Sequence, residues 1–445
     1  MSLPWEQARN SPILNGRAAA PVADEEYELE SLLHQRLIRD IDETALRGLD
    51  RDRAREVVER AARTLAADLL PGVVGDAKED IVHRVADEVV GLGPIERLLR
   101  DPSISEVMVN APDEVFFERE GVIYDAPVAF RDEAHIMRIV DRIVASLGRH
   151  VDEASPMVDA RLADGSRVNI IIPPLAPKSP VITIRKFRSD RYRMDDLVSV
   201  GTLTAAMARM FEACVVARLN VVVSGGTGSG KTTLLNALSA FLPERERIVT
   251  IEDPLELKLQ QRHVVALEAR PASAEGRGEV TQRDLVRNAL RMRPDRILVG
   301  EVRGAEAFDM LQAMNTGHEG SLTTVHANSP RDALGRIENM VLMAGFDLPV
   351  AAIREQMASA LHVIIQLARL SDGTRRVVSV AEVAGMEGQV VTLQEIFTFK
   401  QTGIGPEGRV LGELRPLGIR PKFADKFEAF GIHLGDETFG TGRWG

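Results

Sequence analysis

The chain has 445 residues, of which 44% are hydrophobic and 27% are charged, and this length allows two or three domains with separate cores. Its net charge of −11 gives no indication of a basic nucleic-acid tail or polybasic membrane arm, although it allows a local basic groove. No signal peptide or run of 18 apolar residues occurs, so we expect membrane association through partners alone. A single cysteine, Cys214, excludes an internal disulfide and a four-cysteine zinc site and is typical of a reducing cytoplasm.

The first hundred residues predict an arm followed by helices. Residues 1–24 are rich in Pro, Asn and Ala and lack periodicity, which indicates a disordered arm. From 25 to 99, apolar residues such as Leu29, Leu33 and Leu37 recur at helical spacing, so we predict a helical N-terminal segment of two to four amphipathic helices. Glycines and a proline in GLGPIERLL (91–99) then mark a boundary.

Residues 100–190 alternate short strand patterns with one helix pattern. The strand-like runs are SEVMVN (105–110), EVFFERE, VIYDA, MVDARLA, RVNIII and ITIRKF (182–187). Residues 133–148 place their Ile and Val side chains on one helical face, and Asp164-Gly165 is a hairpin turn signal. This pattern predicts an α+β domain over 100–190, followed by a linker over 191–202.

Residues 203–400 alternate strands and helices through the runs RIVTIE, DLVRNALRM, RILVGE and SLTTVH. Such alternation predicts an α/β domain with a mostly parallel sheet and helices on both faces. The C-terminal tail, 401–445, is rich in Gly and Pro, and we find no motif in it.

The stretch VVVSGGTGSGKTTLLNAL (221–238) reads as a strand, a glycine loop and the start of a helix. This is the pattern of a phosphate-binding P-loop, in which glycines let backbone N–H groups converge on an anion at a helix N-terminus. We expect Lys231 to reach the β- and γ-phosphates and Thr232 to hold Mg²⁺. The loop residues are Gly225, Gly226, Thr227, Gly228, Ser229, Gly230, Lys231, Thr232 and Thr233.

Carboxylates follow two other predicted strands. RILVGE ends in Glu301, and IEDPLEL supplies Glu252, Asp253 and Glu256 within five residues. Downstream of a P-loop, such groups position Mg²⁺ and the attacking water. The alternatives are a strand-end cap for Glu301 and a solvated acidic loop for the other three.

Two histidines and three arginines complete the candidate site. His326 closes a predicted strand on the same sheet edge, where an imidazole could sense the γ-phosphate, and His318 lies eight residues before it. Phosphoryl transfer often uses an arginine from another domain or subunit. Arg161, Arg167 and Arg185 on the predicted strands of the preceding domain are our candidates, with surface ion pairs as the alternative.

With these residues assembled, the chain closely resembles the secretion ATPase superfamily of type II/IV secretion and type IV pilus motors, and within it the Flp or tight-adherence (CpaF-type) pilus assembly ATPases. The resemblance runs from residue 91 to 340 and is most specific in QRDLVRNALRMRPDRILVGEVRGAEAFDMLQAMNTGHEGSLTTVHAN (282–328). It implies a RecA-like ATPase domain that binds ATP and Mg²⁺. It also implies a homo-hexamer, peripheral at the cytoplasmic side of the inner membrane through pilus platform proteins.

The resemblance also implies residue roles. Residues 225–232 match the Walker A loop, Glu252, Asp253 and Glu256 the Asp box, 297–301 Walker B, and His318 and His326 the His box. Glu256 becomes the general base and Glu301 the group on Mg²⁺ and its water, although these roles could be exchanged. Arg161, Arg167 and Arg185 match γ-phosphate-contacting positions.

The resemblance leaves several functional classes to compare. Cys214 alone cannot supply the zinc element usual in type II secretion ATPases, and the helical N-terminal segment is longer than is usual in type IV secretion ATPases. We therefore predict a hexameric ATPase for Flp pilus assembly, with a conjugation or protein secretion motor as the alternative. A nucleotide-gated scaffold would need a missing catalytic group, and the 4% aromatic content argues against direct nucleic-acid handling.

Overall fold

The structure, a computed structural model, describes residues 24–41, 48–119, 122–145, 150–186, 192–270, 272 and 277–440. The chain divides into two compact units, Met1–Ser189 and Asp190–Gly445. The disordered arm predicted over 1–24 lies outside the described residues, except for Asp24, where the first helix begins.

The first unit starts with three helices that pack on one another, α1 (Asp24–Asp40), α2 (Arg51–Leu69) and α3 (Asp76–Val90). Helix α2 starts where it does because the Asp50 carboxylate accepts a hydrogen bond from the backbone N–H of Arg53. The apolar stripes of the three helices, including Leu33, Val58 and Val85, form one buried cluster. A 3₁₀ turn (Gly93–Ile95) and the short α4 (Glu96–Arg100) follow.

A six-stranded antiparallel sheet makes up the rest of this unit, in the order β3-β2-β1-β6-β5-β4. Helix α5 (Glu133–Ala145) buries Ile136, Ile139, Val140, Ile143 and Val144 in a common core with the sheet, as the sequence predicts. The strands are β1 (Ile104–Ala111), β2 (Glu114–Arg119), β3 (Val122–Asp125), β4 (Met157–Arg161), β5 (Arg167–Ile171) and β6 (Val181–Arg185).

The second unit includes the segment that the sequence predicts as a linker (191–202). Residues Met194–Ser199 form helix α6, whose Met194 and Leu197 are buried in the core of the second unit. The linker prediction is therefore wrong for these residues. Two apolar side chains are enough to pack a helix of six residues against the second unit, even though the surrounding stretch is polar.

A nine-stranded sheet organises the second unit, in the order β15-β14-β13-β12-β7-β11-β10-β8-β9. The six strands from β12 to β9 pair in parallel, and β12 to β15 pair antiparallel. The parallel strands are β7 (Val221–Gly225), β8 (Ile248–Glu252), β9 (Val264–Glu268), β10 (Arg296–Val302), β11 (Leu322–Val325) and β12 (Val363–Arg369).

Helices cover both faces of this sheet. Val221 and Val223 pack on the side of α7 (Ala205–Val216) and α8 (Lys231–Ser239), whereas Val222 packs on the opposite side. The helices on that opposite side are α9 (Gln282–Ala289), α10 (Glu306–Asn315), α11 (Pro330–Met343) and α12 (Val350–Ala360). This is the RecA-like α/β architecture that the sequence predicts.

The C-terminal tail, in which the sequence shows no motif, contains regular elements. After β13 (Arg375–Glu387) and β14 (Val390–Ile404), the chain forms a 3₁₀ turn (Pro406–Gly408), β15 (Val410–Pro416), α13 (Ala424–Ala429) and α14 (Asp436–Phe439). Phe423, Phe427 and Phe439 are buried in the core of the second unit. These aromatic side chains fix the segment to the domain, so the described part of the predicted tail packs as part of the second unit.

Candidate active site

The glycine loop joins β7 to α8 at the carboxyl edge of the parallel strands. Gly228 and Gly230 have φ values of +67° and +96°, in the left-handed region that favours glycine, and Gly230 is the N-cap of α8. A Cβ atom at position 225 would collide with Ser229 Oγ and lie 2.8 Å from the carbonyl oxygen of Leu367. The backbone is therefore packed tightly at a helix N-terminus, as an anion-binding loop requires.

Lys231 lies across this loop toward a neighbouring strand. Its Nζ donates a hydrogen bond to the carbonyl oxygen of Gly226 (3.1 Å) and lies 4.0 Å from Glu301 Oε1. The other carboxylate oxygen of Glu301 accepts hydrogen bonds from Arg303 Nε (2.8 Å) and Nη2 (2.5 Å). The end of β10 thus brings a carboxylate to the phosphate loop and surrounds it with two cations.

Thr232 contacts a second carboxylate. Its hydroxyl donates a hydrogen bond to Glu256 Oε2 at 3.0 Å. Glu256 follows β8 and Glu301 lies within β10, so two different strands supply carboxylates to adjacent residues of the first turn of α8. A hydroxyl, a lysine and two carboxylates therefore converge at the site where a bound triphosphate would need a metal ligand, a cation and a base.

Glu252 holds the turn that carries Glu256. Its side chain is 2% exposed, and Oε2 accepts hydrogen bonds from the backbone N–H groups of Glu256 (2.6 Å) and Leu257 (2.7 Å). Burial raises the pKa of Glu252 above its ordinary value, and these two N–H donors oppose that effect. Glu252 thus positions the Asp-box turn, whereas Asp253, the next residue, is exposed.

His326 lies just beyond β11, at the same edge as the loop. Burial, followed by the positive charges of Lys231 and Arg336, lowers the pKa of His326, and the charge of Glu301 opposes this shift. His326 is therefore near enough to Lys231 and Glu301 for their charges to act on its imidazole. His326 also lines a cleft of about 740 Å³ along α11.

His318 lies elsewhere in this unit. Because β11 runs parallel to β7 with Leu322 opposite Val221, residues before β11 lie at the amino edge of the sheet, opposite the phosphate loop. The backbone N–H of Gly320 donates to the side-chain oxygen of Asn220, the residue before β7. The structure therefore does not bring His318 to the loop of its own chain, contrary to the grouping of the two histidines by sequence.

The three candidate arginines lie in one row of the first unit. Arg161 is directly opposite Arg167 across β4 and β5, and Arg167 is directly opposite Arg185 across β5 and β6. Directly opposed residues in an antiparallel sheet share a face, so three cationic side chains stand side by side. Glu106 on β1 continues the row, with its carboxylate 3.6 Å from Arg185 Nε.

Two further arginines lie near the loop and cannot be identified from the sequence. Arg375 Nε donates to the carbonyl oxygen of Gly228 at 2.9 Å, and Arg369 is its cross-strand neighbour on β12. They lie about 140 residues after the loop in sequence and belong to no motif. Only the pairing of β12 with β7 brings them close.

The residues present fit a magnesium nucleotide. Within the described ranges no three His, Cys, Asp or Glu side chains cluster as a metal site. Mg²⁺ bound with a nucleotide needs just one or two protein ligands, because phosphate oxygens and water supply the others. Thr232 with a nearby carboxylate meets that requirement. None of the described helices combines the length and the apolar character needed to span a membrane.

Several known proteins are similar to this chain. A putative conjugal transfer protein of Mycobacterium tuberculosis (strain ATCC 25618 / H37Rv) is 41% identical over 309 residues, covering 68% of this chain and 87% of that protein. The conjugal transfer protein TrbB of Rhizobium radiobacter is 33% identical, with 65% of this chain and 86% of that protein covered. The crystal structure of the VirB11 ATPase from the Brucella suis type IV secretion system, in complex with sulphate, is 31% identical, covers 65% of this chain and 95% of that chain, and gives a TM-score of 0.36.

The profile of the type II/IV secretion system protein family matches residues 88–405, which is more than half of the chain and includes the phosphate loop and its carboxylates. The chain therefore belongs to the type II/IV secretion system protein family.

Proposed function

We propose that this protein is an ATPase that converts ATP and water to ADP and phosphate and uses that reaction to drive a secretion system. The convergence of Lys231, Thr232, Glu256 and Glu301 at one sheet edge carries the proposal. The glycine loop and Lys231 bind the phosphates, and Thr232 supplies a hydroxyl ligand for Mg²⁺.

The two carboxylates have separate roles in this proposal. Glu256 takes the proton of the attacking water. Glu301 would orient a water molecule bound to Mg²⁺. Their contacts support this division, because Glu301 lies beside Lys231 and Arg303, and Glu256 accepts a hydrogen bond from the hydroxyl of Thr232.

The arginine row of the first unit would supply positive charge to the γ-phosphate of the nucleotide. The row presents three guanidinium groups on one face of the sheet, and such groups form strong charge-assisted hydrogen bonds with phosphate oxygens. We propose that one or more of Arg161, Arg167 and Arg185 contacts the γ-phosphate of a nucleotide bound in a homo-hexamer. Arginines in this role increase kcat for nucleotide hydrolysis by a factor of roughly 10³–10⁵.

The secretion pathway that we favour is of the conjugal type IV kind. The similarity to conjugal transfer proteins extends over two thirds of this chain at 41% identity, and this supports the alternative raised from the sequence over Flp pilus assembly. The protein would work at the inner membrane by gripping membrane components of the secretion system.

Flp pilus assembly is the second candidate. The three-helix segment α1–α3 lies almost wholly before residue 88, where the family match begins, and a long helical N-terminal segment favours the pilus class. Deleting the gene distinguishes the two candidates. Loss of DNA transfer with intact pilus filaments supports the conjugal role, whereas loss of filaments alone supports the pilus role.

Phosphate release from Mg-ATP tests the enzymatic proposal. Lys231→Ala should abolish hydrolysis, and Glu256→Gln should lower kcat by about 10²–10⁴ because the base is lost while the shape is kept. Glu244→Gln, an exposed carboxylate outside the site, is the matched control and should keep wild-type activity. Full hydrolysis by either site variant contradicts the proposal.

Sedimentation tests the assembly. We expect hexamers in the presence of a nonhydrolysable ATP analogue, since the arginine row would then bridge the nucleotide. A monomer both with and without the analogue argues against the homo-hexamer.

A further inference from the structure

The hairpin of β12 and β13 extends beyond the sheet beside the phosphate loop. Strand β12 pairs in parallel with β7 up to Leu367, which lies opposite Gly225. Arg369 is two residues further along β12, and Arg375 begins β13 directly opposite it. The last rung of this hairpin therefore lies level with the loop and presents two arginines.

Both side chains approach the side of the loop that carries the carbonyl oxygen of Gly228, which we call its outer side. Arg375 Nε donates to the carbonyl oxygen of Gly228 at 2.9 Å, and its Cδ lies 3.5 Å from where a Cβ of Gly230 would stand. Arg369 Nη1 lies 4.0 Å from the corresponding position of Gly228. The two left-handed glycines of the loop thus face two guanidinium side chains.

The hydrogen bond from Arg375 fixes one peptide plane of the loop. A peptide unit is rigid, so anchoring the Gly228 carbonyl also sets the orientation of the unit that joins Gly228 to Ser229. The hairpin turn is itself held in place, because Asp372 accepts hydrogen bonds from the backbone N–H of Thr374 (3.0 Å) and from that of Val410 on β15 (2.8 Å). The hydrogen bonds of Asp372 therefore restrict the movement of the turn that precedes Arg375.

The placement of these arginines brings two positive charges beside the phosphate loop. A polyphosphate in that loop carries several negative charges. The same two charges would in turn strengthen its binding.

We propose that Arg369 and Arg375 form a guanidinium clamp on the outer side of the phosphate loop, which holds the loop in its binding conformation and attracts the polyphosphate of a nucleoside di- or triphosphate. Arg375 is a positioning residue that acts through Gly228, and Arg369 adds charge. This inference rests on the proposed nucleotide binding and names cis-acting arginines distinct from the row in the first unit.

Equilibrium titration of the full chain with a fluorescent ATP and with ADP tests the clamp. Arg375→Gln and Arg369→Gln should each raise the Kd for both nucleotides about tenfold, the size expected for a charge-assisted contact. Their affinity for AMP, which lacks the β-phosphate, should stay within about twofold of wild type. A cooperative thermal unfolding transition without nucleotide should show that both variants remain folded, so that the change in Kd reports on binding.

The control is Arg376→Gln, which makes the same charge change one residue along β13. Arg376 lies over the Phe399 ring at 5.4 Å and should keep wild-type nucleotide affinity. Arg375→Lys keeps the charge but loses the Nε donor, so it should recover part of the affinity for ATP.

Two results overturn the clamp, and a third concerns the proposed function instead. Wild-type ATP affinity in both Arg369→Gln and Arg375→Gln overturns it, as does an equal loss in Arg376→Gln. Failure of the wild-type chain to bind Mg-ATP, or unchanged binding by Lys231→Ala, overturns the proposed nucleotide site as a whole.

Discussion

At the scale of single residues, Gly300 and Glu252 depend on each other. A Cβ atom at position 300 would lie 2.9 Å from Cγ of Glu252, closer than carbon atoms pack. Glu252 in turn fixes the backbone of Glu256 and Leu257 through one carboxylate oxygen. A glycine in β10 therefore makes room for the buried side chain that positions the Asp-box turn.

Gly300→Ala should lower ATP hydrolysis about tenfold or more and destabilise the protein by about 1–3 kcal/mol. The added methyl group displaces Glu252, so Glu256 loses its fixed backbone, and overpacking adds strain. Phosphate release and urea unfolding measure the two effects. The control is Gly335→Ala on α11, where a Cβ meets open space, and this variant should gain about 0.5–1 kcal/mol with unchanged hydrolysis. Unchanged activity in Gly300→Ala would show that the Glu252 contacts do not serve catalysis.

The sequence alone predicts those site residues that have a suitable side chain and also lie in a recognisable local motif. The loop, Glu301 and Glu256 lie at strand ends that are recognisable as such. The buried, positioning role of Glu252 has no local signal, because it depends on Gly300 from another strand. Arg369 and Arg375 are invisible for the same reason, since only the β7–β12 register brings them to the loop.

At the scale of elements, a half-buried histidine links helix α13 to the sheet. His362 precedes β12, and its Nδ1 accepts a hydrogen bond from the backbone N–H of Asn220 at 3.1 Å. Its Nε2 lies 3.1 Å from Nζ of Lys426 on α13, which also pairs with Glu319 at 3.6 Å. Burial, with a smaller contribution from Lys426, lowers the pKa of His362 to about 4.

This shift predicts a pH dependence of stability. Between about pH 6.5 and pH 4 the unfolded chain protonates this histidine and the folded chain does not, so the free energy of unfolding falls as the pH falls. The loss amounts to up to about 3 kcal/mol and is complete below the folded pKa.

Urea unfolding of the second unit between pH 4 and 7.5 measures the contribution of His362. His362→Gln should show a shallower slope than wild type over this range, because the titrating group is absent. His433→Gln, which changes an exposed histidine of the same C-terminal segment, should match the wild-type slope. Parallel curves for His362→Gln and wild type would mean that the folded chain takes up the proton as readily as the unfolded chain.

Elements follow from the sequence where apolar periodicity is strong, as in α5 and the parallel strands. The C-terminal elements do not, because glycines and prolines interrupt the pattern while three separate phenylalanines supply the burial. Helix α6 is similar, since two apolar residues in a polar stretch carry too little periodic signal.

At the scale of the whole molecule, each unit has its own buried core. The first unit contains a helical cluster and a sheet cluster, and the second contains a cluster on each face of its large sheet. Cores of this kind allow each unit to respond separately to a ligand. The phosphate loop belongs to the second unit and the arginine row to the first.

Hydrogen exchange of the full chain should therefore separate two nucleotide effects. ADP should protect backbone amides around β7 and α8, because the loop and Lys231 bind the phosphates that ADP retains. A nonhydrolysable ATP analogue should protect β4, β5 and β6 as well, because the arginine row would contact the third phosphate. Arg167→Ala should remove this second protection and keep the first, whereas Lys231→Ala should remove both. Protection of the first unit by ADP equal to that by the ATP analogue would contradict a γ-phosphate role for the row, since ADP carries no such phosphate.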